Sequence, residues 1–187
     1  MKQTYLLTIL ILLVFCATKT SAQDTEASEI NKVVNSKYIA SRKVFTGKLN
    51  DIENKDIREK IAKELNRSIA DDKTILINYF QRGPNCITYE YNNEAYSSVL
   101  NNTVNISNRM TSGKNAVDFF VYAKDAFHLN VLKKRNDFIL DSGFFQSNIF
   151  TIQENCAAFL ILKPDGRFIK CYDEDYFTEV DNFLNQK

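Results

Sequence analysis

Apolar residues recur along the chain with two different spacings, and each spacing predicts a different kind of element. In the segment NKDIREKIAKELNRSIADD, large apolar side chains return at every fourth position, at Ile57, Ile61, Leu65 and Ile69. This spacing places them on one face of a helix and leaves the intervening Lys, Arg and Glu side chains facing water. We therefore predict an amphipathic helix over this segment.

Short unbroken apolar runs predict buried strands. The first run is KTILINYF, which Gly83 and Pro84 close, and the next two are AVDFFVYA (residues 116–123) and AAFLIL. After AAFLIL the sequence KPDG (residues 163–166) has turn chemistry, because proline presets φ at the second position and Asp and Gly follow. RFIKCY is then predicted to return as the antiparallel partner of AAFLIL.

The segments between these strands are predicted to be helices and turns. After Cys86, the residues Tyr91, Ala95 and Val99 could share a helical face, although CITYEY also alternates as a strand does. HLNVLKKR predicts a short helix, DFILDSGFFQSNIF a strand end with an amphipathic turn, and DEDYFTEVDNFLNQ a closing helix. Because strands joined through helices run parallel and the last pair is a hairpin, we predict an α/β fold with a mixed sheet.

The first 22 residues have the composition of a secretory signal peptide. One lysine precedes an apolar stretch at residues 5–17, and small and polar residues follow as far as Ala22. The apolar stretch is shorter than the ~20 residues that a helix needs to span a bilayer. We predict an exported protein, periplasmic or extracellular and bacterial in composition. A retained membrane anchor and a lipoprotein attached at Cys16 are alternatives, although the bulky Phe15 is unusual before a lipoprotein cysteine.

The remaining chain divides into a polar N-terminal extension, residues 23–50, and one domain, residues 51–187. In the extension, Ile30, Val33, Val34 and Tyr38 could line a helix that packs loosely on the domain. Without the first 22 residues the chain is long enough for one domain with its own hydrophobic core.

Charge and composition exclude several classes of partner and cofactor. The whole chain has a formal charge of +1, and its first 22 residues hold two lysines and no acidic residue. Such a balance does not suggest a nucleic-acid partner or an anionic membrane surface. With His128 as the only histidine and no closely spaced cysteines, we predict no metal site. Five glycines and no glycine-rich loop argue against a phosphate-binding cofactor site.

Removal of the first 22 residues would leave three cysteines, Cys86, Cys156 and Cys171. In an exported protein, an odd number allows at most one internal disulfide and leaves one free or intermolecular thiol. Cys171 is in phase with Ile169 on the last predicted strand, so we interpret it as a buried small apolar residue.

The order of elements and two local motifs resemble the thioredoxin-like superfamily, which includes redoxins and peroxiredoxin-like proteins. ILINYF-QRGPNC is similar to the strand and active-site turn that often reads Arg-Gly-(Pro)-Trp-Cys-x-x-Cys in this family. The matching residues are Arg82, Gly83, Pro84, Asn85 in the tryptophan place and Cys86, with Tyr89 in the place of the second cysteine. The resemblance covers about residues 74–184. It implies a three-layer α/β/α sandwich around a mixed central sheet, with a C-terminal hairpin and a closing helix.

The same resemblance places Cys156 near Cys86. SNIFTIQENCAAFLILKPDGRFIKCY is similar to the family stretch in which a cis-proline loop precedes a strand, and Cys156 stands where that proline would be. Because this loop lies against the active-site turn in the family, the resemblance implies that the two cysteines are close enough to bridge. Such a disulfide could be structural, or it could be a redox couple in which Cys156 is the resolving cysteine.

Cys86 itself has two interpretations. If a helix begins at Cys86, the free amides and the dipole at the helix start, together with Arg82, would stabilise the reactive thiolate. Such a thiolate could attack a disulfide or a peroxide. Alternatively, Asn85 and Cys86 only cap a helix, and Cys86 is a half-buried relic of an active site.

Two functional hypotheses follow. The first is an exported thioredoxin-like protein that uses Cys86, with or without Cys156, for thiol–disulfide exchange with a protein partner or for peroxide reduction. The second is a non-catalytic thioredoxin-like binding or envelope-associated module.

We interpret His128 as a surface or satisfied histidine. We interpret the acidic run at residues 173–175 as complementing a helix N-terminus rather than binding a cation.

Overall fold

The computed structural model describes residues 29–174 and 177–186 of the chain. The strands are β1 (Lys43–Lys48), β2 (Thr74–Phe80), β3 (Ala116–Tyr122), β4 (Phe138–Leu140), β5 (Ala157–Leu162) and β6 (Arg167–Tyr172). The helices are α1 (Ser36–Ser41), α2 (Asp51–Leu65), α3 (Asn93–Thr111), α4 (Leu129–Leu132), α5 (Phe144–Asn148) and α6 (Phe177–Asn185). The strands form one mixed sheet, so the predicted α/β class is confirmed.

The sheet has the strand order β1–β6–β5–β2–β3–β4. Strands β2, β3 and β4 are parallel, as expected for strands that are joined through helices. Strand β5 lies antiparallel to β2 on its other side, and the predicted hairpin then adds β6 antiparallel to β5. Phe80 at the end of β2 pairs with Ala157 at the start of β5. The segments that carry Cys86 and Cys156 therefore leave the sheet at the same edge.

Helix α2 confirms the four-residue spacing and also shows where it stops. Its N-terminus has a capping box, in which Asn50 and Glu53 each accept a hydrogen bond from the other's backbone amide. Ile61 and Leu65 are buried against the sheet. The helix ends at Leu65 because Asn66 adopts a left-handed conformation with φ of 50°. Ile69 therefore packs on the core from the loop that follows.

The hydrophobic core has two clusters: α2 contributes to the first, α6 to the second and α3 to both. Alternate residues of β2 point to opposite faces, so Ile77 belongs to the cluster that includes the buried residues of α2. Leu76 belongs to a second cluster, to which α3 contributes Met110 and α6 contributes Val180. Every residue of β2 before Phe80 is buried, as an unbroken apolar run predicts for a central strand.

The region before α2 differs from the sequence prediction. Only Ser36–Ser41 is helical there, and Val33 and Val34 are 59% and 64% exposed rather than packed in a helical face. Residues Lys43–Lys48, which we placed in a polar extension, form strand β1 and pair antiparallel with β6. An edge strand has only one neighbour, and nearly every side chain of β1 is exposed, so it lacks the apolar pattern of a buried strand.

The predicted signal peptide, residues 1–22, lies outside the described residues. Across residues 29–174 and 177–186, no helix combines the length and the apolar content needed to cross a membrane.

Candidate functional site

The turn that follows β2 is joined to the loop that precedes β5 by main-chain hydrogen bonds. The amide of Gln81 donates to the carbonyl of Cys156 at 3.0 Å. The amide of Asn85 donates to the carbonyl of Glu154 at 3.0 Å, and the amide of Cys156 donates to the carbonyl of Asn85 at 3.2 Å. These bonds hold the two segments side by side beyond the edge of the sheet.

Gly83 permits this close approach. A Cβ atom at Gly83 would lie 2.7 Å from the carbonyl carbon of Asn155 and 2.8 Å from its oxygen, both of which are backbone atoms. Any other residue would therefore push the two segments apart. Glycine at position 83 of the motif is therefore required by the close packing of the two segments.

Cys86 and Cys156 form a disulfide between the two segments. Their Cα atoms are 5.2 Å apart, within the usual range for a disulfide, so the predicted closeness of this pair is confirmed. The sequence separation is 70 residues, and a crosslink over that distance stabilises the fold by up to about 4 kcal/mol in the chain-entropy estimate. Both residues are buried, with Cys86 0% exposed and Cys156 7% exposed.

A segment from the start of the described chain is bonded to the turn that carries Cys86, and we call residues 29–42 the N-terminal strap. The amide of Asn31 donates to the carbonyl of Pro84 at 2.8 Å, and the amide of Cys86 donates to the carbonyl of Asn31 at 2.9 Å. The strap, the turn and the β5 loop form two adjacent parallel bridges, which pair Asn31 with Asn85 and Asn85 with Asn155. No pattern in the sequence predicted that this third segment belongs to the site.

No helix begins at Cys86, contrary to one interpretation of the sequence. Helix α3 begins at Asn93, where the side chain of Asn92 accepts a hydrogen bond from the amide of Ala95 at 2.9 Å. Residues 87–90 form turns instead. The amide of Cys86 is bonded to the strap, so helix-end amides do not stabilise this sulfur.

Arg82 and Tyr89 lie beside the site rather than at the sulfurs. Arg82 is exposed, and its guanidinium lies over the ring of Phe127 at 5.4 Å. Tyr89, in the place of the second motif cysteine, is 41% exposed and packs edge-on against the same ring at 4.8 Å. Among the described residues, no contact joins the guanidinium of Arg82 to the sulfur of Cys86, so the structure gives no support to the expected stabilisation of a Cys86 thiolate by Arg82.

Glu174 is the residue that sequence reasoning missed. Its Oε1 atom lies 3.2 Å from the sulfur of Cys156 and accepts a hydrogen bond from the amide of Ile87 at 2.9 Å. Its Oε2 atom is buried and has no hydrogen-bond partner within the described ranges. Burial, reinforced by the neighbouring charge of Asp173, raises the pKa of Glu174 to about 7, against the opposing effect of the Ile87 amide.

Asp173 is part of the structure around the disulfide, not of a helix start. It is fully buried, and its carboxylate accepts a hydrogen bond from the hydroxyl of Tyr38 at 3.0 Å and pairs with Arg42. The same hydroxyl accepts a hydrogen bond from the amide of Glu174 at 3.1 Å. Tyr38 and Arg42 belong to the strap, so this network fixes the strap to the end of β6. Asp175, the third residue of the acidic run, lies outside the described residues.

Thr88 and His128 complete the surroundings of the two sulfurs. The hydroxyl of Thr88 lies 3.4 Å from the sulfur of Cys86 and 3.8 Å from that of Cys156. The imidazole of His128 lies 2.9 Å from the carbonyl of Thr88 and stacks on Tyr96 at 4.1 Å. His128 is thus the satisfied histidine that the sequence predicted.

Cys171 is buried and free, as predicted for a small apolar residue of β6. Burial raises the pKa of its thiol to about 12, so the reactive thiolate is scarce at neutral pH. The chemistry of the site is therefore confined to Cys86, Cys156 and Glu174, whose sulfur and oxygen atoms all lie within 4.8 Å of one another.

Comparison with known proteins adds no further assignment: no family model, no curated protein and no solved structure matches the chain.

Proposed function

We propose that this protein is an exported thioredoxin-like redox protein, in which Cys86 and Cys156 exchange thiols and disulfides with a protein partner. The observation that carries the proposal is the Cys86–Cys156 disulfide with the carboxyl of Glu174 in contact with Cys156. A buried acid beside a disulfide is an arrangement typical of functional sites, because burial adjusts its affinity for a proton.

The topology supports the thioredoxin-like part of this proposal. Four neighbouring strands, β3–β2–β5–β6, combine a parallel pair joined through α3 with an antiparallel hairpin, and α6 follows the hairpin. This is the order implied by the resemblance. The two cysteines lie at the places that the resemblance gives to the active-site turn and to the loop before the hairpin.

The exchange reaction begins at Cys156, which is the less completely buried of the two residues. A partner thiolate attacks Cys156, the sulfur–sulfur bond breaks, and Cys86 leaves as a thiolate beside the Thr88 hydroxyl. A second partner thiol then displaces Cys156 from the mixed disulfide. The partner becomes a disulfide, and the two protein sulfurs take up the two protons that the partner thiols have lost.

The second hypothesis, a non-catalytic module, is favoured by a different observation. Cys86 is fully buried, and the strap lies over it with two main-chain hydrogen bonds. In that case the disulfide is structural, and the module acts through its surface.

The reduction potential separates the two functions. We would equilibrate a Cys171→Ala variant with a dithiol redox buffer and determine the oxidised fraction by alkylation and mass. A potential above about −300 mV supports exchange, because structural disulfides in secreted proteins lie below that value. A potential below it supports the structural disulfide. A Cys86→Ser/Cys156→Ser variant is the control for alkylation at other sites.

A further inference from the structure

The reduced site would concentrate negative charge in a buried volume. Opening the disulfide frees two sulfurs next to Glu174, and the three ligand atoms already lie within 4.8 Å of one another. Asp173 adds a further carboxylate, with Arg42 paired to it. The Oε2 atom of Glu174 has no hydrogen-bond partner among the residues that the structure describes. Buried charges of one sign require a proton or a cation to offset them.

We propose that the reduced protein binds one Zn²⁺ ion through Cys86, Cys156 and Glu174. A dithiolate and a carboxylate bring three negative charges to the ion, which offsets two of them. Thiolate ligands select zinc or copper(I), and the harder carboxylate oxygen favours zinc over copper(I). The amide of Ile87, which donates to Glu174 at 2.9 Å, would hold the carboxylate in its orientation.

The distances suit this ion. Zinc lies about 2.3 Å from a thiolate sulfur and about 2.0–2.2 Å from a carboxylate oxygen, so tetrahedral ligands stand ~3.5–3.8 Å apart. The sulfur of Cys156 and Oε1 of Glu174 are 3.2 Å apart. The two sulfurs must separate once their bond is broken, and the sulfur of Cys156 and Oε1 of Glu174 must move slightly farther apart. Three protein ligands leave the fourth position of a tetrahedral site to a water molecule.

Reduction and metal binding are separate, balanced steps. A water-soluble phosphine cleaves the disulfide: phosphorus takes oxygen from water and becomes a phosphine oxide, and both sulfurs become thiols. Zinc then displaces one proton from each thiol. The oxidised protein has no thiolate to offer and should not bind. The proposal requires only that a chemical reductant opens the disulfide. It is independent of whether the pair exchanges with a partner.

The test is a zinc titration of the full-length protein after phosphine reduction and removal of the phosphine without oxygen. Competition with a chromophoric chelator gives the affinity and stoichiometry, and Co²⁺ in place of zinc gives a thiolate charge-transfer band. We expect one ion per reduced chain and none per oxidised chain. Cys86→Ser and Cys156→Ser should each weaken binding at least 100-fold, and Glu174→Gln about 10-fold or more. Cys171→Ala, the matched control, should bind as wild type does.

Several results would overturn the proposal. Reduced wild-type protein that binds no zinc would do so, and so would binding that either serine variant retains. If the zinc affinity of Glu174→Gln lies within twofold of the wild-type affinity, the carboxylate of Glu174 is not a zinc ligand. This variant also covers the case in which reduction unfolds the chain, because zinc held by unfolded thiols would not depend on Glu174. A loss of exchange activity alone would overturn the proposed function and leave the zinc site intact.

Discussion

Gly83 controls how closely the turn after β2 approaches the loop before β5. In a Gly83→Ala variant the new methyl carbon would lie 2.7 Å from the carbonyl carbon of Asn155, and that backbone cannot rotate away. We expect the free energy of unfolding to fall by about 2 kcal/mol or more, as for other overpacked sites. Because the strain acts on the segment that carries Cys86, the disulfide should also be reduced faster. Urea unfolding and the rate of reduction by a dithiol measure the two effects.

Gly47→Ala is the matched control for this prediction. Its Cβ would meet the ring of Phe168 at 2.8 Å, but this neighbour is a side chain that can turn aside. The loss of stability should be smaller, and the rate of disulfide reduction should not change. Equal effects from the two variants would show that the contact with Asn155 does not hold the site together.

Glu174 makes the stability of the oxidised protein depend on pH. Its pKa is raised from 4.5 to about 7 in the folded state, so the folded protein binds this proton more tightly than the unfolded chain does. The stabilisation is complete below the unfolded pKa and is lost as pH rises through the folded one. Glu174→Gln keeps the shape without the charge. It should be more stable than wild type by up to about 3 kcal/mol above neutral pH.

The pH series itself contains the control for this prediction. At about pH 4, where the wild-type carboxyl is mostly protonated in both states, the two proteins should unfold at nearly the same urea concentration. Oxidised, chelator-treated protein avoids any contribution from a metal ion. A variant that is destabilised equally at low and high pH would instead show that Glu174 acts only as a fixed hydrogen-bond acceptor.

The strap is hydrogen-bonded to the turn that carries Cys86, and we expect it to limit access to the disulfide. Asn31→Pro removes the amide that donates to Pro84 at 2.8 Å, and the proline ring would also disturb the neighbouring bond from Cys86. The strap should then open more often, because local opening is governed by the few bonds that hold a segment. We expect the dithiol to reduce the disulfide about 10-fold faster or more, as followed by quenched alkylation and mass.

Lys32→Gln serves as the control for the strap. It removes the exposed ion pair with Glu90 but no main-chain bond. Exposed ion pairs contribute about 0–1 kcal/mol, so reduction should speed up little. If the Asn31→Pro variant is reduced at the wild-type rate, a partner can reach the sulfurs without displacing the strap.

The elements that sequence patterns predicted are those with a buried apolar face. The spacing of Ile57, Ile61 and Leu65 located α2, and the unbroken runs located the central strands, because burial leaves a direct mark on the residue types. Strand β1 was missed because an edge strand with exposed side chains carries no such mark. The start of α3 was misplaced because its N-cap is Asn92, and the region contains several other asparagines that could equally cap a helix.

The candidate site was predicted only in part, for a related reason. The closeness of Cys86 and Cys156 followed from a resemblance, which supplies long-range pairing that local patterns do not contain. Asn31 reaches the site through the strap, which leads into β1, so missing β1 also meant missing this residue. Glu174 reaches the site through the predicted hairpin, in which Tyr172 pairs with Ala158, so that the residues after β6 lie beside Cys156. The exact register of that hairpin, which the residue pattern does not contain, was needed to find it.

For the molecule as a whole, the disulfide joins two segments outside the sheet that are far apart in sequence. It closes a loop with a sequence separation of 70 residues, and the chain-entropy estimate for such a loop is about 4 kcal/mol. We expect reduction to lower the unfolding free energy by up to that amount. It should also steepen the urea dependence of unfolding, because the unfolded chain without the crosslink is less compact and exposes more surface. Urea unfolding of the Cys171→Ala variant, oxidised and reduced, measures the difference without thiol exchange from the third cysteine.

The size of this difference also bears on the function of the disulfide. The disulfide form of the protein has a larger unfolding free energy than the dithiol form. The larger this difference, the harder the folded disulfide is to reduce, and the lower its reduction potential. A difference near the full estimate therefore favours a structural bond. A difference under about 1 kcal/mol would contradict the loop-closure expectation. It would mean that strain in the oxidised folded state, or residual structure in the reduced unfolded chain, offsets the loop-closure term. A small difference goes with a higher reduction potential, as expected of a pair that cycles between both states.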